Sequence, residues 1–184
     1  VSTLNYLDWA EQNTVFEVIS PRTGWTATWT GGDEPLQLQG GRGSPDFFEI
    51  YGLRAVHGRT FASGEDQPGS DKVVVLTHAL WESRFGADPA AVGRSIILNG
   101  DPHEIIGVHE AGVYDRDPAQ LWKPLAFEPS NMTRDFHWFG VFAKLKPGVT
   151  LDQARAEMEV IGQRIAAEYP AIKQGWSVGV DRAI

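Results

Sequence analysis

Five histidines, His57, His78, His103, His109 and His137, are the side chains of this sequence best suited to proton transfer or metal binding. No HExxH motif is present, and none of the five stands at helical i, i+4 spacing with a second ligand. His103 and His109 flank one expected strand with a spacing of six, and the two-residue strand period turns both to one side. A metal there needs a third ligand, for which Asp115 or Asp117 in the following loop are the candidates; genuine metal sites show a tighter pattern. The neighbours Glu65/Asp66 and Asp115/Asp117 suggest an acid/base couple, but glycosidase-type chemistry needs carboxylates held about 5 to 10 Å apart across a cleft. Adjacent loop carboxylates in an acidic chain read instead as solvated surface. No GxSxG signals a serine nucleophile, and zero cysteines remove thiolate catalysis, disulfides and zinc–thiolate sites. Gly40-Gly41-Arg42-Gly43 is glycine-rich but lacks the GxxxxGK[ST] pattern and the helix that would hold a phosphate. No catalytic, cofactor-binding or metal-binding residue is assigned, and the chain reads as no enzyme.

Aromatic residues are the other candidates. Seven tryptophans and nine phenylalanines exceed what a plain core of 184 residues needs. Trp25 and Trp29 lie four apart on one face of an expected strand, and Phe136, Trp138, Phe139 and Phe142 crowd another. Core packing is the favoured reading. An exposed aromatic face for a partner or an apolar ligand is the alternative. Trp81 is placed in the core.

The elements that position these residues are clearest from Val73 to Val108. Val73-Val74-Val75-Leu76 is an apolar, β-branched run suited to a buried strand. Thr77 caps a helix carrying Leu80, Trp81 and Phe85 on one face, and Gly86 stops it. Asp88-Pro89 opens a short second turn. Ser95–Leu98 and His103–Val108 flank Asn99-Gly100, the pair that best tolerates the positive φ of a tight hairpin. Before this block, residues 3–13 read as a helix with Leu4, Leu7 and Ala10 on one face and Tyr6 beside them. Gly24–Thr30 and Leu36–Gln39 read as strands, Gly40–Pro45 as a crossing between subdomains, Asp46–Gly52 as helical turns stopped by glycine, and Ala62–Asp71 as a polar loop.

Residues 111–135 are irregular apart from Leu121–Leu125. Phe136–Lys146 returns to strand, with Phe139, Val141, Ala143 and Leu145 on one face. Thr150 and Gln153 have the spacing of a capping box, and Ala154, Met158, Ile161 and Ile165 line a helix that Pro170 ends near Tyr169. Trp176–Val180 is expected as a closing strand, making a βαβ unit with parallel strands. No strand precedes the first helix, so an opening strand is expected upstream of Val1. The fold class is therefore α+β in two subdomains. Residues 1–43 with 126–184 form an α/β layer from both chain ends, and residues 44–125 form an inserted, mostly β unit.

The net charge of −8 argues against nucleic acid and against an anionic membrane surface, since both need clustered Lys and Arg. No run approaches the roughly 20 apolar residues that cross a bilayer. Val1-Ser2-Thr3-Leu4 lacks the charged-then-apolar pattern of a leader. A soluble protein, or a soluble piece of a larger one, is expected.

A series of short motifs resembles one family. It runs through Asn5-Tyr6-Leu7-Asp8-Trp9, Phe47–Leu53, Gly58-Arg59-Thr60-Phe61, Glu65-Asp66 and Val74–Thr77. It continues with Leu80-Trp81, Arg84-Phe85-Gly86, Asp88-Pro89, Val92-Gly93-Arg94, Leu98-Asn99-Gly100 and Ile106-Gly107-Val108. Leu145–Thr150, Gln153–Glu157 and Glu168-Tyr169-Pro170 close it. In this order the pieces resemble the MacB-like periplasmic core domain of FtsX/MacB-type ABC transporter permeases. The resemblance implies a porter-like subdomain from both chain ends and an inserted sabre-like subdomain, on the outer side of the bacterial cell membrane. It implies as partners the transmembrane helices of the same polypeptide, a cytoplasmic ATP-binding domain or subunit and a second permease copy. In some members it implies periplasmic adaptors as well. It implies mechanotransmission, the passing of ATP-driven motion to the outside for export or efflux, and it transfers no catalytic residue. The competing expectation is an extracytoplasmic ligand- or partner-binding module using aromatic surfaces or the inter-subdomain cleft.

Overall fold

The computed structural model describes residues 1–31, 34–112, 119–170 and 178–183. The chain forms two compact units, Val1–Pro21 with Glu128–Ile184, and Arg22–Phe127. It is a mixed α+β fold with a large mixed sheet and four α-helices among the described residues.

The central unit is organised by strands β1 (Phe16–Thr30, of which Arg22 onward belongs here), β2 (Leu36–Gly43), β3 (Ala55–Gly58), β4 (Val73–Leu76), β5 (Ser95–Leu98), β6 (Asp101–His109) and β7 (Leu121–Pro124). Following hydrogen-bonded neighbours gives β2-β7-β4-β6-β5-β1, and β1 pairs β2 again, so six strands close into a ring. The β1–β5 seam is short, with Trp29 facing Leu98 and Thr30 facing Ile97. Closure removes the free edges that an open sheet would leave. Strand β3 sits outside the ring on β6.

Residues sharing a register share a face, and the ring has an apolar layer on each. Ala27, Leu38, Val74, Leu76, Ile96, Leu98, Ile105, Val108 and Leu121 form the inner layer with Leu80 and Trp81 of α3 (His78–Phe85). The outer layer holds Val75, Ile106 and Trp122 against Phe47 and Phe48 of α2 (Phe47–Tyr51). Helix α3 follows β4 directly. Thr77 Oγ1 accepts from the Leu80 amide, and Gly86 ends the helix at φ 62°, as its sequence signals predict.

Three expectations change here. The expected division fell at 43/44 and 125/126, whereas the units divide at 21/22 and 127/128. Arg22–Trp29 is zipped to β2, and β2 pairs in parallel with β7, which ties the first hairpin to the central unit. The glycine run is no crossing either, because β2 continues through Gly43. Its glycines let aromatic rings lie on the strand: a Cβ on Gly41 would sit 2.1 Å from Trp122, and one on Gly40 2.7 Å from Trp25. Finally, β1 begins at Phe16, well before Gly24.

The other unit contains α1 (Thr3–Gln12), the start of β1, β8 (Gly140–Leu145) and α4 (Leu151–Glu168), with β8 beside β1. Helix α4 shows the full capping box of Thr150 and Gln153, and Ala154, Met158, Ile161 and Ile165 are all buried. Helix α1 does not bury its expected face. Leu7 and Ala10 are exposed, while Thr3, Asn5 and Tyr6 are buried. Polar anchors set that rotation: Arg134 bonds Asn5 and Asp8, the Leu4 amide donates to Thr133 O, and Tyr6 Oη donates to Ile19 O. Strand β8 is also shorter than expected, leaving Phe136 outside it and 61% exposed. Of the expected closing strand, Trp176 and Ser177 lie outside the described residues, and Val178–Val180 is not a strand. Val178 and Val180 pack beside α4 instead, and Arg155 Nε donates to Val180 O, occupying a carbonyl that a ladder would use.

Candidate functional site

The two histidines proposed as a metal pair do not face each other. Val74 pairs with Ile105 but Val75 with Gly107, a β-bulge in β6 that reverses the alternation beyond it. Ile105 and Val108, three apart, consequently both reach the inner layer. His103 stays on that inner face, and His109 is turned to the other. His109 Nδ1 lies 2.7 Å from Glu110 O. Asp115 and Asp117 lie outside the described residues. Among the described residues no group of three or more His, Asp or Glu is arranged to hold a metal ion.

The remaining candidates are spent on structure. Glu65 takes a bidentate pair from Arg59 and accepts from the Ala62 amide, and the Arg59 hydrogen bond holds its carboxyl below the ordinary glutamate value. Asp66 lies in the same loop and, after burial and Glu49, helps to hold the Asp46 carboxyl above its ordinary value. His57 and His78 pack on Trp81, at 4.8 and 5.2 Å between ring centroids. His78 and Glu82 lie i, i+4 on α3 and approach to 3.4 Å, a spacing that the sequence reading overlooked. Trp81 is buried, and its Nε1 donates to Asp88 O at 2.9 Å. Trp25 and Trp29 face inward, and Trp29 stacks on Phe85 at 5.4 Å. These tryptophans are core, not an exposed aromatic face.

What the fold does bring together is a charged cluster at one end of the ring. Because α3 follows the last residue of β4, it lies at one end, and Asp71 and Lys72, which precede β4, lie at the other. Arg42 pairs with Lys123 across β2 and β7 on the inner face, one alternation beyond Gly40 and Leu121. Lys123 Nζ reaches Asp71 at 2.7 Å and lies 5.4 Å from the Trp25 ring centroid. Lys72 Nζ reaches Asp101 at 2.6 Å. Enclosed among them is His103, 2% exposed, its ring 6.1 Å from that of Trp25. Its Nδ1 lies 3.0 Å from Asp101 O, and its buried Nε2 has no hydrogen-bond partner. Burial pushes the His103 imidazole below its ordinary value; Asp101 O and Asp71 oppose this, and Lys123 and Lys72 add to it. Burial likewise lowers Arg42, against the pull of Asp71. Sequence reading singled out His103 and Trp25 but had no signal that joined them, because their adjacency depends on ring closure.

The terminal unit carries an open surface cleft of about 490 Å³ lined by Gln12, Thr14, Glu157, Val160 and Arg164. Glu157 accepts from Thr14 Oγ1 and from the Thr14 and Val15 amides. Burial alone would raise its carboxyl, but these hydrogen bonds outweigh that and hold it below the ordinary glutamate value. Arg164 bonds Gln12 across the cleft.

A six-stranded ring with a helical plug, followed in the chain by a long helix, defines an α+β domain. The chain belongs to the MacB-like periplasmic core domain family, whose sequence model matches residues 2–161. Its fold is shared with the periplasmic region of MacB from Actinobacillus actinomycetemcomitans, at TM-score 0.69 and 18% identity, covering 92% of this chain and 76% of that one. The extracellular domain of the ABC-type transporter YknZ from Gram-positive bacteria matches at TM-score 0.69 and 13% identity, covering 92% and 84%. A domain of a protein described as a permease from Porphyromonas gingivalis matches at TM-score 0.68 and 15% identity, covering 94% and 75%. No curated protein sequence matches. No helix among the described residues is long and apolar enough to cross a membrane.

Proposed function

We propose that this domain couples cytoplasmic ATP hydrolysis to movement outside the membrane, as the extracytoplasmic part of an ABC transporter permease working in export or efflux. The observation that carries the reading is the family match over residues 2–161. The fold shared with periplasmic and extracellular transporter regions supports it. On this reading the domain is joined to transmembrane helices of its own polypeptide, acts with an ATP-binding domain or subunit and a second permease copy, and in some settings meets a periplasmic adaptor. The terminal unit then corresponds to the porter-like subdomain and the ring to the sabre-like one. The domain transmits motion and catalyses nothing. Coupling of this kind works through two conformations whose populations follow nucleotide state.

Spin labels test it directly. The 184 residues contain no cysteine, so Glu159→Cys in the terminal unit and Arg84→Cys in the ring supply unique attachment points within the domain. In the intact transporter the distance distribution between them should change between ATP-bound and nucleotide-free states. Identical distributions in both states would sink the coupling role.

A further inference from the structure

We propose that the end of the ring opposite α3 is an acid-sensitive latch, in which protonation of the enclosed His103 releases the β5–β6 turn from the start of β4. The inference stands apart from the coupling role and rests on the geometry around one imidazole. His103 is 2% exposed and packs near Trp25 on the inner face. With Nδ1 against Asp101 O, a neutral ring carries its proton on Nδ1 and leaves Nε2 as a bare lone pair. A second proton would create a buried N–H donor with nothing to accept it, on a ring that has become cationic.

The charged neighbours do not absorb that cost, because the pull of Asp71 is set against the repulsion of Lys123 and Lys72. From β7, Lys123 faces His103 with its charge engaged by Asp71 at 2.7 Å. From the lead into β4, Lys72 engages Asp101 at 2.6 Å across the hairpin. From β2, Arg42 adds a further positive charge beside Asp71. β1 contributes Trp25, and β5 contributes apolar Ile96 opposite His103. Both carboxylates are already committed to lysines. An imidazolium is accommodated only by breaking one of those pairs or by moving the hairpin outward into water. Since Lys72–Asp101 and the Glu104 amide to Lys72 O hold the turn end of the hairpin where the β4–β6 ladder begins, either route loosens that end of the seam.

The direction with pH follows. Above about pH 6.5, the ordinary histidine value, neither closed nor open state holds the extra proton and the latch has its full stability. As pH falls below that value, the open state takes up the proton first, and the closed state weakens until pH passes the depressed value of the closed ring. One proton gives at most a tenfold change in the opening equilibrium per pH unit.

Amide hydrogen exchange, corrected for intrinsic rates and read by NMR from pH 7.5 to 5, tests the latch alongside titration of the His103 ring protons. The Glu104 amide reports the seam, and the Trp81 amide, bonded to Thr77 O in α3, reports the far end. The expected result is a His103 midpoint below 6.5 and opening at Glu104 that rises several-fold per pH unit while Trp81 stays flat. His103→Phe, neutral at every pH, should abolish the rise, and His109→Gln should retain it. A His103 midpoint at or above the ordinary value overturns the proposal, as does a rise that persists in His103→Phe. Should His103→Phe fail to fold, the titration and exchange of the unaltered protein still decide it.

Discussion

The ring of residues 22–127 and the unit built from the chain ends solve the same problem by different means. The ring places apolar layers on both faces of one closed sheet, with twelve buried residues in the inner cluster and seven in the outer among the described residues. Among the described residues the terminal unit has a helical cluster of Met158, Ile161 and Ile165, with Trp9, Phe16 and Tyr169 packed beside it, and Tyr6, Val15, Phe139 and Ala154 are buried as well. It supplements this with polar ties between distant segments: Thr14 and Val15 to Glu157, Asp8 and Asn5 to Arg134, and Arg134 over the Tyr169 ring at 4.0 Å. Burial scales with area and is insensitive to pH, whereas charge-assisted hydrogen bonds are directional and titrate. Away from the charged end around His103, the ring should therefore answer mainly to changes of volume, and the terminal unit should respond to changes of charge.

The largest expected effect breaks the ring at its plug. Trp81→Ala removes a buried indole and one of the two donors to Asp88 O, the Ala91 amide being the other, and should cost about 3–5 kcal/mol in denaturant melts. A loss near zero would mean that the inner layer is not what stabilises this unit. Overpacking is the complementary probe. Gly41→Ala drives a methyl into Trp122, and the cost should be about 1–3 kcal/mol. Asn99→Gly tests closure itself. Glycine keeps the positive φ of the turn, but the Asn99 amide also bonds Thr26 O and the Thr28 amide, tying the hairpin to β1 across the short seam. Loss of these bonds should cost about 1–2 kcal/mol.

On the other side of the comparison, Thr150→Ala removes the cap of α4 at about 1 kcal/mol. The smallest effect is the most specific. Glu157 has a lowered folded value, so its contribution is complete above the ordinary glutamate range and disappears as pH falls through that lowered value. Acid melts from pH 6 to 3 should show this loss in the unaltered protein and a flatter profile in Glu157→Gln. Parallel profiles would mean that the Glu157 ties do not stabilise the terminal unit.

What was legible in the sequence was whatever is encoded within one turn or one period. Thr150 with Gln153, the stripe Ala154–Met158–Ile161–Ile165, the stop at Gly86 and the Asn99-Gly100 hairpin each depend on residues a few places apart. The failures share a different cause. Helix α1 shows an apolar stripe at Leu4, Leu7 and Ala10, yet partners near residue 133 decide which face is buried, and no local window contains them. The same side for His103 and His109 follows from strict alternation, which one bulge at Ile106 cancels. Glycines 40, 41 and 43 look like a break because the rings that need their missing side chains, Trp25, Trp122 and Phe47, lie on other elements. Of the candidate site, the sequence named His103 and Trp25 but not Lys123, Asp71 or Arg42, which ring closure brings to them.

The ties between Thr14 and Glu157 have a consequence for how the chain is made. The two residues are 143 positions apart, so a ribosome adding about 5–20 residues per second delivers Glu157 on the order of 10 s after Thr14. The six strands that close the ring, by contrast, have all been made once Phe127 has emerged. Helix α1 must wait through that interval with Tyr6 and Trp9 uncovered, while the domain that separates it from α4 is already complete. The first 21 residues thus stay without their α4 partners during synthesis, and a pause between residues 127 and 157 would lengthen that interval.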